Sequence, residues 1–186
     1  MTIYLARHGQ TAYNQTRRFQ GQMDVPLDET GHQQAKQLAI KVADLGIVAL
    51  WASPLARARQ TAEAVSAHLG LPIQFDARLM ETDTGIWTDK MYDDLAAADP
   101  YAYEGWVTAR PDFGFEGGET YVQQTERVMA ALTEIEQGPG PALVISHGMS
   151  MRLALTRRGG DTWLAKEAIP NTAVIELPNA GPATDG

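Results

Sequence analysis

The chain has no cysteine among its 186 residues, which excludes a disulfide framework, a thiol nucleophile and a cysteine-ligated metal. A cytoplasmic protein is the expectation that follows. Basic residues are scarce: 15 Lys and Arg face 23 Asp and Glu, for a formal net charge of -8. The field of such a chain repels nucleic acid and anionic membrane surfaces, so neither is expected as a partner. The opening Met1-Thr2-Ile3-Tyr4-Leu5-Ala6-Arg7 lacks a basic leader and is far too short for a secretory or membrane segment. It reads as the first strand of a soluble protein. Other signatures are missing too: there is no Gly-x-Ser-x-Gly elbow, no P-loop, and no pair at metal-ligand spacing among His8, His32, His68 and His147.

What is present alternates between short apolar runs and helical periodicity, the pattern of a mostly parallel sheet flanked by helices. Ile3 to Ala6, Val48 to Ala52, Ile73 to Phe75, Ala142 to Ser146 and Ala173 to Leu177 read as strands. Thr30 and Gln33 suggest a capping box for a helix over 31–44, with Ala35, Leu38, Ala39 and Val42 as its apolar stripe. A second helix is capped by Ser53, carries Pro54 in its first turn and ends at Gly70; Arg57 and Arg59 fall outside its stripe. A third runs from Thr120 to Gln137 before Gly138-Pro139-Gly140-Pro141 stops it. The stretch from Arg78 to Gly118 holds one short helical candidate, Lys90 to Ala98, before Pro100; its aromatics argue for an ordered excursion over the mouth of a site. The length suits a single domain, residues 1–177, with a flexible tail over 178–186.

Two peptides carry the chemistry. Arg7-His8-Gly9 and Ser146-His147-Gly148 each follow an apolar run, and ligands of open α/β sheets gather at the carboxyl ends of strands. Two imidazoles are therefore expected to face each other across one crevice. A neutral histidine can attack phosphorus where cationic donors hold the phosphoryl group and an acid protonates the leaving oxygen. His8 is the candidate nucleophile, Arg7 and Arg57 are forks for phosphate oxygens, and His147 and Asn14 are further donors. Glu81 and Asp83 compete as the acid, and spacing does not choose between them. His32 and His68 lie near helix ends and are assigned solvent-facing positions.

Leu5-Ala6-Arg7-His8-Gly9-Gln10-Thr11 with Asn14 resembles the signature of the histidine phosphatase superfamily, which includes cofactor-dependent phosphoglycerate mutases and many small phosphatases. Phe19-Gln20-Gly21 with Pro26-Leu27 and Thr30-Gly31, Ser53 to Ala62, and Arg78-Leu79-Met80-Glu81 with Gly85 and Trp87 resemble further family segments in order. Gly117-Gly118-Glu119-Thr120, Ser146-His147-Gly148 and Asn171-Thr172 complete the resemblance up to about residue 177. It implies a phosphoglycerate mutase-like fold, a single-domain three-layer α/β/α sandwich. It further implies a transient phosphohistidine on His8, phosphoryl binding by Arg7, Arg57 and His147, and Glu81 rather than Asp83 as proton donor. Asn14, Gln20, Gly21 and Gly148 are implied as phosphate or substrate contacts, with no metal and no cofactor.

One departure stands out: Thr88-Asp89 follows Gly85-Ile86-Trp87 where the family usually shows Glu-Gly. Between Tyr92 and Gly118 only Arg110 is basic, against Asp93, Asp94, Asp99, Glu104, Asp112 and Glu116. That acidic excursion reads as disfavouring a small substrate bearing both carboxylate and phosphate. The expected function is a metal-independent phosphatase of small phosphomonoesters. The alternatives are a cofactor-dependent phosphoglycerate mutase and a catalytically silent protein that binds phosphorylated ligands.

Overall fold

A computed structural model describes residues 1–110, 112–159 and 168–179. Five strands form one sheet: β1 (Ile3–Arg7), β2 (Ala49–Ala52), β3 (Ile73–Phe75), β4 (Ala142–Ser146) and β5 (Val174–Glu176), in the order β3-β2-β4-β1-β5. β1, β2, β3 and β4 pair in parallel and β5 runs antiparallel at one edge. β4 lies in the middle and is buried along its whole length, which is why Ala142 to Ser146 is a continuous apolar run rather than an alternating one.

The helices are α1 (Ala12–Gln15), α2 (Glu29–Lys41), α3 (Ala56–Leu69), α4 (Tyr92–Ala98), α5 (Pro100–Thr108), α6 (Tyr121–Ile135) and α7 (Gly148–Gly159). Successive side chains of a strand point to opposite faces. Leu143 and Ile145 accordingly pack with Leu38 of α2, Val42 just after it, and Ala58, Ala62 and Val65 of α3. Val144, with Ile3 and Leu5, packs with Val128, Leu132, Met151 and Leu155 of α6 and α7. This is the expected three-layer sandwich. A separate aromatic cluster of Phe19, Trp87, Trp106, Phe113, Phe115 and Tyr121, joined by Met149 and Leu153, gathers the 78–118 excursion into an ordered lid.

All five expected strands form within a residue or so of their expected bounds. Helix starts differ more. Asp28, not Thr30, caps α2: its Oδ1 accepts from Gly31 N at 2.8 Å, leaving Thr30 inside the first turn. Ser53 does not cap α3. The distant Asp24 carboxylate accepts from Ala56 N at 2.6 Å instead, and Ser53 Oγ turns toward His147. The candidate between Lys90 and Ala98 forms as α4 and ends before Pro100, but α5 was not expected: Asp99 caps it with Pro100 in its first turn, where a missing N–H has no cost. Most of the expected tail, 180–186, lies outside the described residues.

Candidate active site

β1 and β4 are in register with Arg7 opposite Ser146, so the residues that follow, His8 and His147, leave the sheet side by side. Their ring centroids are 5.1 Å apart, as the strand-end placement predicted. The His8 backbone is fixed from two sides: its N–H donates to Ser146 O at 3.0 Å, and its carbonyl accepts from Asn171 Nδ2 at 3.0 Å. Gly9 is required here, because a Cβ at that position would stand 2.5 Å from Gly31 O.

The His8 Nδ1 atom lies 2.6 Å from Gly9 O. A carbonyl only accepts, so Nδ1 carries the proton and Nε2 keeps its lone pair. Burial, then the charges of Arg57 and Arg7, push His8 well below the ordinary 6.5. A buried imidazole beside two guanidinium groups stays neutral and nucleophilic at neutral pH.

Those guanidinium groups are only partly satisfied by the protein. Arg7 Nη1 donates to Ile169 O at 2.6 Å. Arg57, fully buried although its spacing put it outside the apolar stripe, donates to Gly21 O at 2.8 Å and Met23 O at 2.9 Å. Among the described residues four buried side-chain polar atoms lack a partner, and three of them are Arg7 Nε, Arg57 Nε and His147 Nδ1. Burial pushes Arg57 down to about 10, against the opposing influence of Glu81 and Asp24. Unpaired buried donors on cations are costly, and an oxyanion bound among them would satisfy them.

His147 Nε2 lies 2.8 Å from Ser53 Oγ, which also accepts from Leu55 N at 3.3 Å. The serine proton then has Nε2 as its acceptor, which assigns the His147 proton to the unpartnered Nδ1. His147 is likewise pushed well below 6.5, chiefly by burial.

Glu81 and Asp83 differ in placement. Glu81 lines the same pocket as Arg7, His8 and Arg57, whereas Asp83 Oδ1 accepts from Gly85 N at 3.0 Å and closes a turn. Glu81 Oε2 accepts from Met149 N at 3.2 Å, and Oε1 from Thr82 N, Ser150 N and Gln124 Nε2 at 3.0, 3.3 and 3.3 Å. Arg127 holds the segment from behind: it pairs with Glu119 at 2.6 Å and donates to the carbonyls of Arg78, Met80 and Glu81. Gln124 and Arg127 escaped the sequence reading because α6 shows only its apolar stripe.

The pocket, about 80 Å³, is completed by Asn14, Gln20, Gly21 and Gly148, all expected contacts. Asn14 Oδ1 accepts from Thr11 N and Asn171 Nδ2. Gln20 Oε1 accepts from Thr11 Oγ1 at 2.9 Å. Gly21 has φ +50 and would bring a Cβ within 2.4 Å of Thr84 Oγ1. Phe19, Tyr92, Trp106 and Phe115 form an aromatic wall, and Met149 and Arg152 line the pocket from α7. No motif drew attention to those last two residues. The acidic residues between Tyr92 and Gly118 do not line the pocket: Asp93, Asp94, Asp99, Glu104, Asp112 and Glu116 are all exposed. The expectation that they repel a carboxylate at the site is therefore corrected. Asp89, in the unusual Thr88-Asp89 pair, takes φ +67 and is held by Tyr13 Oη at 2.7 Å and Arg18 Nη1 at 2.8 Å.

Among the described residues no three His, Asp or Glu side chains converge as a metal site, and no helix is long and apolar enough to cross a membrane. Residues 3–179 match the model of the histidine phosphatase superfamily, branch 1. The chain is 39% identical over 158 residues to a probable phosphoglycerate mutase, GpmB, of Salmonella paratyphi B, covering 81% of this chain and 71% of that one. Among solved structures it resembles a mycobacterial glucosyl-3-phosphoglycerate phosphatase complexed with VO3, with a TM-score of 0.85 and 26% identity over 94% of this chain and 91% of the other. It also resembles Bacillus stearothermophilus YhfR, with a TM-score of 0.84 and 30% identity over 94% and 89% of the two chains.

Proposed function

The chain belongs to the histidine phosphatase superfamily, branch 1, and from that premise we propose that it is a metal-independent phosphatase of small phosphomonoesters. The observation that carries this reading is the neutral His8, its Nδ1 proton committed to Gly9 O and its Nε2 lone pair left to react. The phosphoryl oxygens are received by Arg7, Arg57 and His147, whose buried unpaired donors an anion satisfies, and by the amides of Asn14 and Gln20. His8 Nε2 attacks phosphorus as the ester P–O bond breaks, and Glu81 gives its proton to the departing oxygen. A water, deprotonated by Glu81, then attacks the phosphohistidine; the P–N bond breaks, releasing phosphate and restoring neutral His8. No metal ion or cofactor has a role in this scheme, and the partner is a small phosphorylated substrate.

A mutase is the second reading, favoured by the name carried by the 39% identical relative. A mutase returns the phosphoryl group to a reoriented acceptor, where a phosphatase admits water. The test is phosphate release from a panel of phosphomonoesters with chelator present, run beside 2- to 3-phosphoglycerate interconversion. Release that survives the chelator and stops in His8→Ala supports the phosphatase. Interconversion without release supports the mutase, and release that persists undiminished in His8→Ala refutes the nucleophile.

A further inference from the structure

Three strand ends stand in a row at the carboxyl edge of the sheet. β2, β4 and β1 are neighbours, with Ala52 opposite Ile145 and Ser146 opposite Arg7. The first residues beyond them, Ser53, His147 and His8, therefore leave the sheet together. Backbone bonds join the row, Ser53 N to Ile145 O and His8 N to Ser146 O, both at 3.0 Å. Side chains continue it: Ser53 Oγ lies 2.8 Å from His147 Nε2, and the two imidazole centroids are 5.1 Å apart. The two histidines have roles in the proposed mechanism. Ser53, expected from its sequence position to cap α3, has none.

Ser53 is fully buried and does not line the pocket, so it is not placed to touch a substrate or to act as a second nucleophile. Its oxygen accepts from Leu55 N at 3.3 Å, and among the described residues its own proton has His147 Nε2 as the acceptor. Nδ1 is then the ring nitrogen left for a phosphoryl oxygen, being buried and without a protein partner among the described residues. In the opposite tautomer Nδ1 would turn a lone pair toward the oxyanion, which repels it. Burial, then the charges of Arg57 from α3, His8, Arg127 from α6, and Arg7, all oppose a second proton on His147. Near neutral pH the donor toward the phosphoryl group thus depends on the neutral tautomer rather than on an imidazolium.

We propose that Ser53 is a positioning residue that fixes His147 as the Nδ1–H tautomer and so presents a ready donor to the phosphoryl group. This rests on the pocket being a phosphoryl site and holds for hydrolysis and transfer alike. A hydroxyl both donates and accepts, so Ser53 also serves the imidazolium that a bound anion favours: the hydroxyl turns, and Oγ accepts from Nε2–H.

Two measurements on the full chain test this. Nitrogen NMR of labelled histidines separates the two neutral tautomers from the imidazolium, and the His147 signals are those lost in His147→Gln. The unsubstituted protein is expected to carry the His147 proton on Nδ1 near pH 8. Ser53→Ala is expected to move it wholly or partly to Nε2, and Ser53→Thr, which keeps a hydroxyl, to restore it to Nδ1. The second measurement is binding of inorganic phosphate by titration calorimetry, taken as the ratio of variant to unsubstituted protein at each pH, so that the ionisation of phosphate cancels. Near pH 8, Ser53→Ala is expected to bind at least about fivefold more weakly. Near pH 5.5 the bound anion draws a proton onto His147 and supplies the Nδ1–H whatever the starting tautomer, so the loss is expected to shrink below about twofold. A merely structural role would give the same loss at both. If Ser53→Ala does not fold, Ser53→Cys, whose thiol is a weak donor, decides through smaller changes in the same directions.

A proton on Nε2 in the unsubstituted protein, an unchanged tautomer in the variant, or an equal loss at both pH values overturns the proposal. Failure of the unsubstituted protein to bind phosphate at either pH overturns the phosphoryl site itself, while the histidine spectra still decide whether Ser53 sets the tautomer.

Discussion

Gln124 and Glu81 touch at 3.3 Å, amide nitrogen to carboxylate Oε1, and the same amide nitrogen donates to Ser150 Oγ at 3.0 Å while its oxygen accepts from Thr82 Oγ1 at 2.5 Å. Gln124 is fully buried. The donors on Glu81 are thereby crowded onto Oε1, leaving Oε2 with Met149 N alone. In the proposed mechanism Oε2 is the oxygen from which the leaving group takes its proton.

The proposed mechanism makes Gln124 a positioning residue for Glu81. Gln124→Leu is expected to lower kcat at least tenfold on alkyl phosphates and much less on nitrophenyl phosphate, whose leaving group scarcely needs a proton. Glu81→Gln should show the same selectivity more strongly. Taking the acceptor from Thr82 Oγ1, while Ser150 Oγ keeps Met80 O, also destabilises the fold by about 1–3 kcal/mol. Equal losses on both substrates, beside that stability change, would mean the amide is only structural.

Arg57 makes a different prediction, in which affinity and stability part. Removing its charge relieves the burial that pushes it down to about 10, while two carbonyls, Gly21 O and Met23 O, lose a donor. These effects oppose each other, and Arg57→Met is expected to leave the melting temperature of the ligand-free protein within a few degrees. Inhibition by inorganic phosphate or vanadate should weaken at least a hundredfold. Scanning fluorimetry with and without the anion reads both; a large fall in stability with inhibition retained refutes the assignment.

How far the sequence led depended on the range of the interactions involved. Strands were legible because β4 and its neighbours are short apolar runs, in β4 unbroken because it is buried along its whole length. The two histidines were legible because each follows a strand directly. The cap of α2 was not, because Asp28 and Thr30 are both capping residues and only the path of the preceding loop decides between them. Arg57 lay outside an apolar stripe and is nevertheless buried, since what covers it is the 20–24 loop, far off in sequence. Arg152 was hidden by α7, which is buried on most of its faces and has no single stripe against which a buried arginine would stand out. The helix before Pro100 was legible and the one that starts at it was not, because a proline ends a helix and begins one with the same sequence signal.

The Thr88-Asp89 departure from the family pattern has a local account that makes its own prediction. Asp89 occupies a left-handed conformation at φ +67, which costs most non-glycine residues about 1–2 kcal/mol. Its side chain, more than half exposed, offsets part of this through Tyr13 and Arg18. Asp89→Gly is therefore expected to be within about 0.5 kcal/mol of the parent, and Asp89→Ala about 1 kcal/mol less stable than Asp89→Gly. Urea denaturation of the pair measures this difference, and equal stabilities would show that the backbone there is not strained.

The paired histidines set the last prediction, the acid limit of the ligand-free fold. Both are pushed well below 6.5 in the native state, mainly by burial, while in the unfolded chain they titrate near 6.5. Below that pH the unfolded chain binds protons that the native one refuses. The stability they contribute is therefore complete above about pH 6.5 and is lost as pH falls toward their native values. Asp76, Asp89 and Glu134 are shifted down as well, but their losses begin only near pH 4, the ordinary carboxylate range. Between pH 7 and pH 5 the melting temperature should fall, and the fall should be shallower in His147→Gln, which removes one of the two groups. Inorganic phosphate held between Arg7 and Arg57 should flatten it too, because a bound dianion favours a protonated His147. An unchanged slope in His147→Gln, with and without phosphate, would show that the acid sensitivity arises elsewhere.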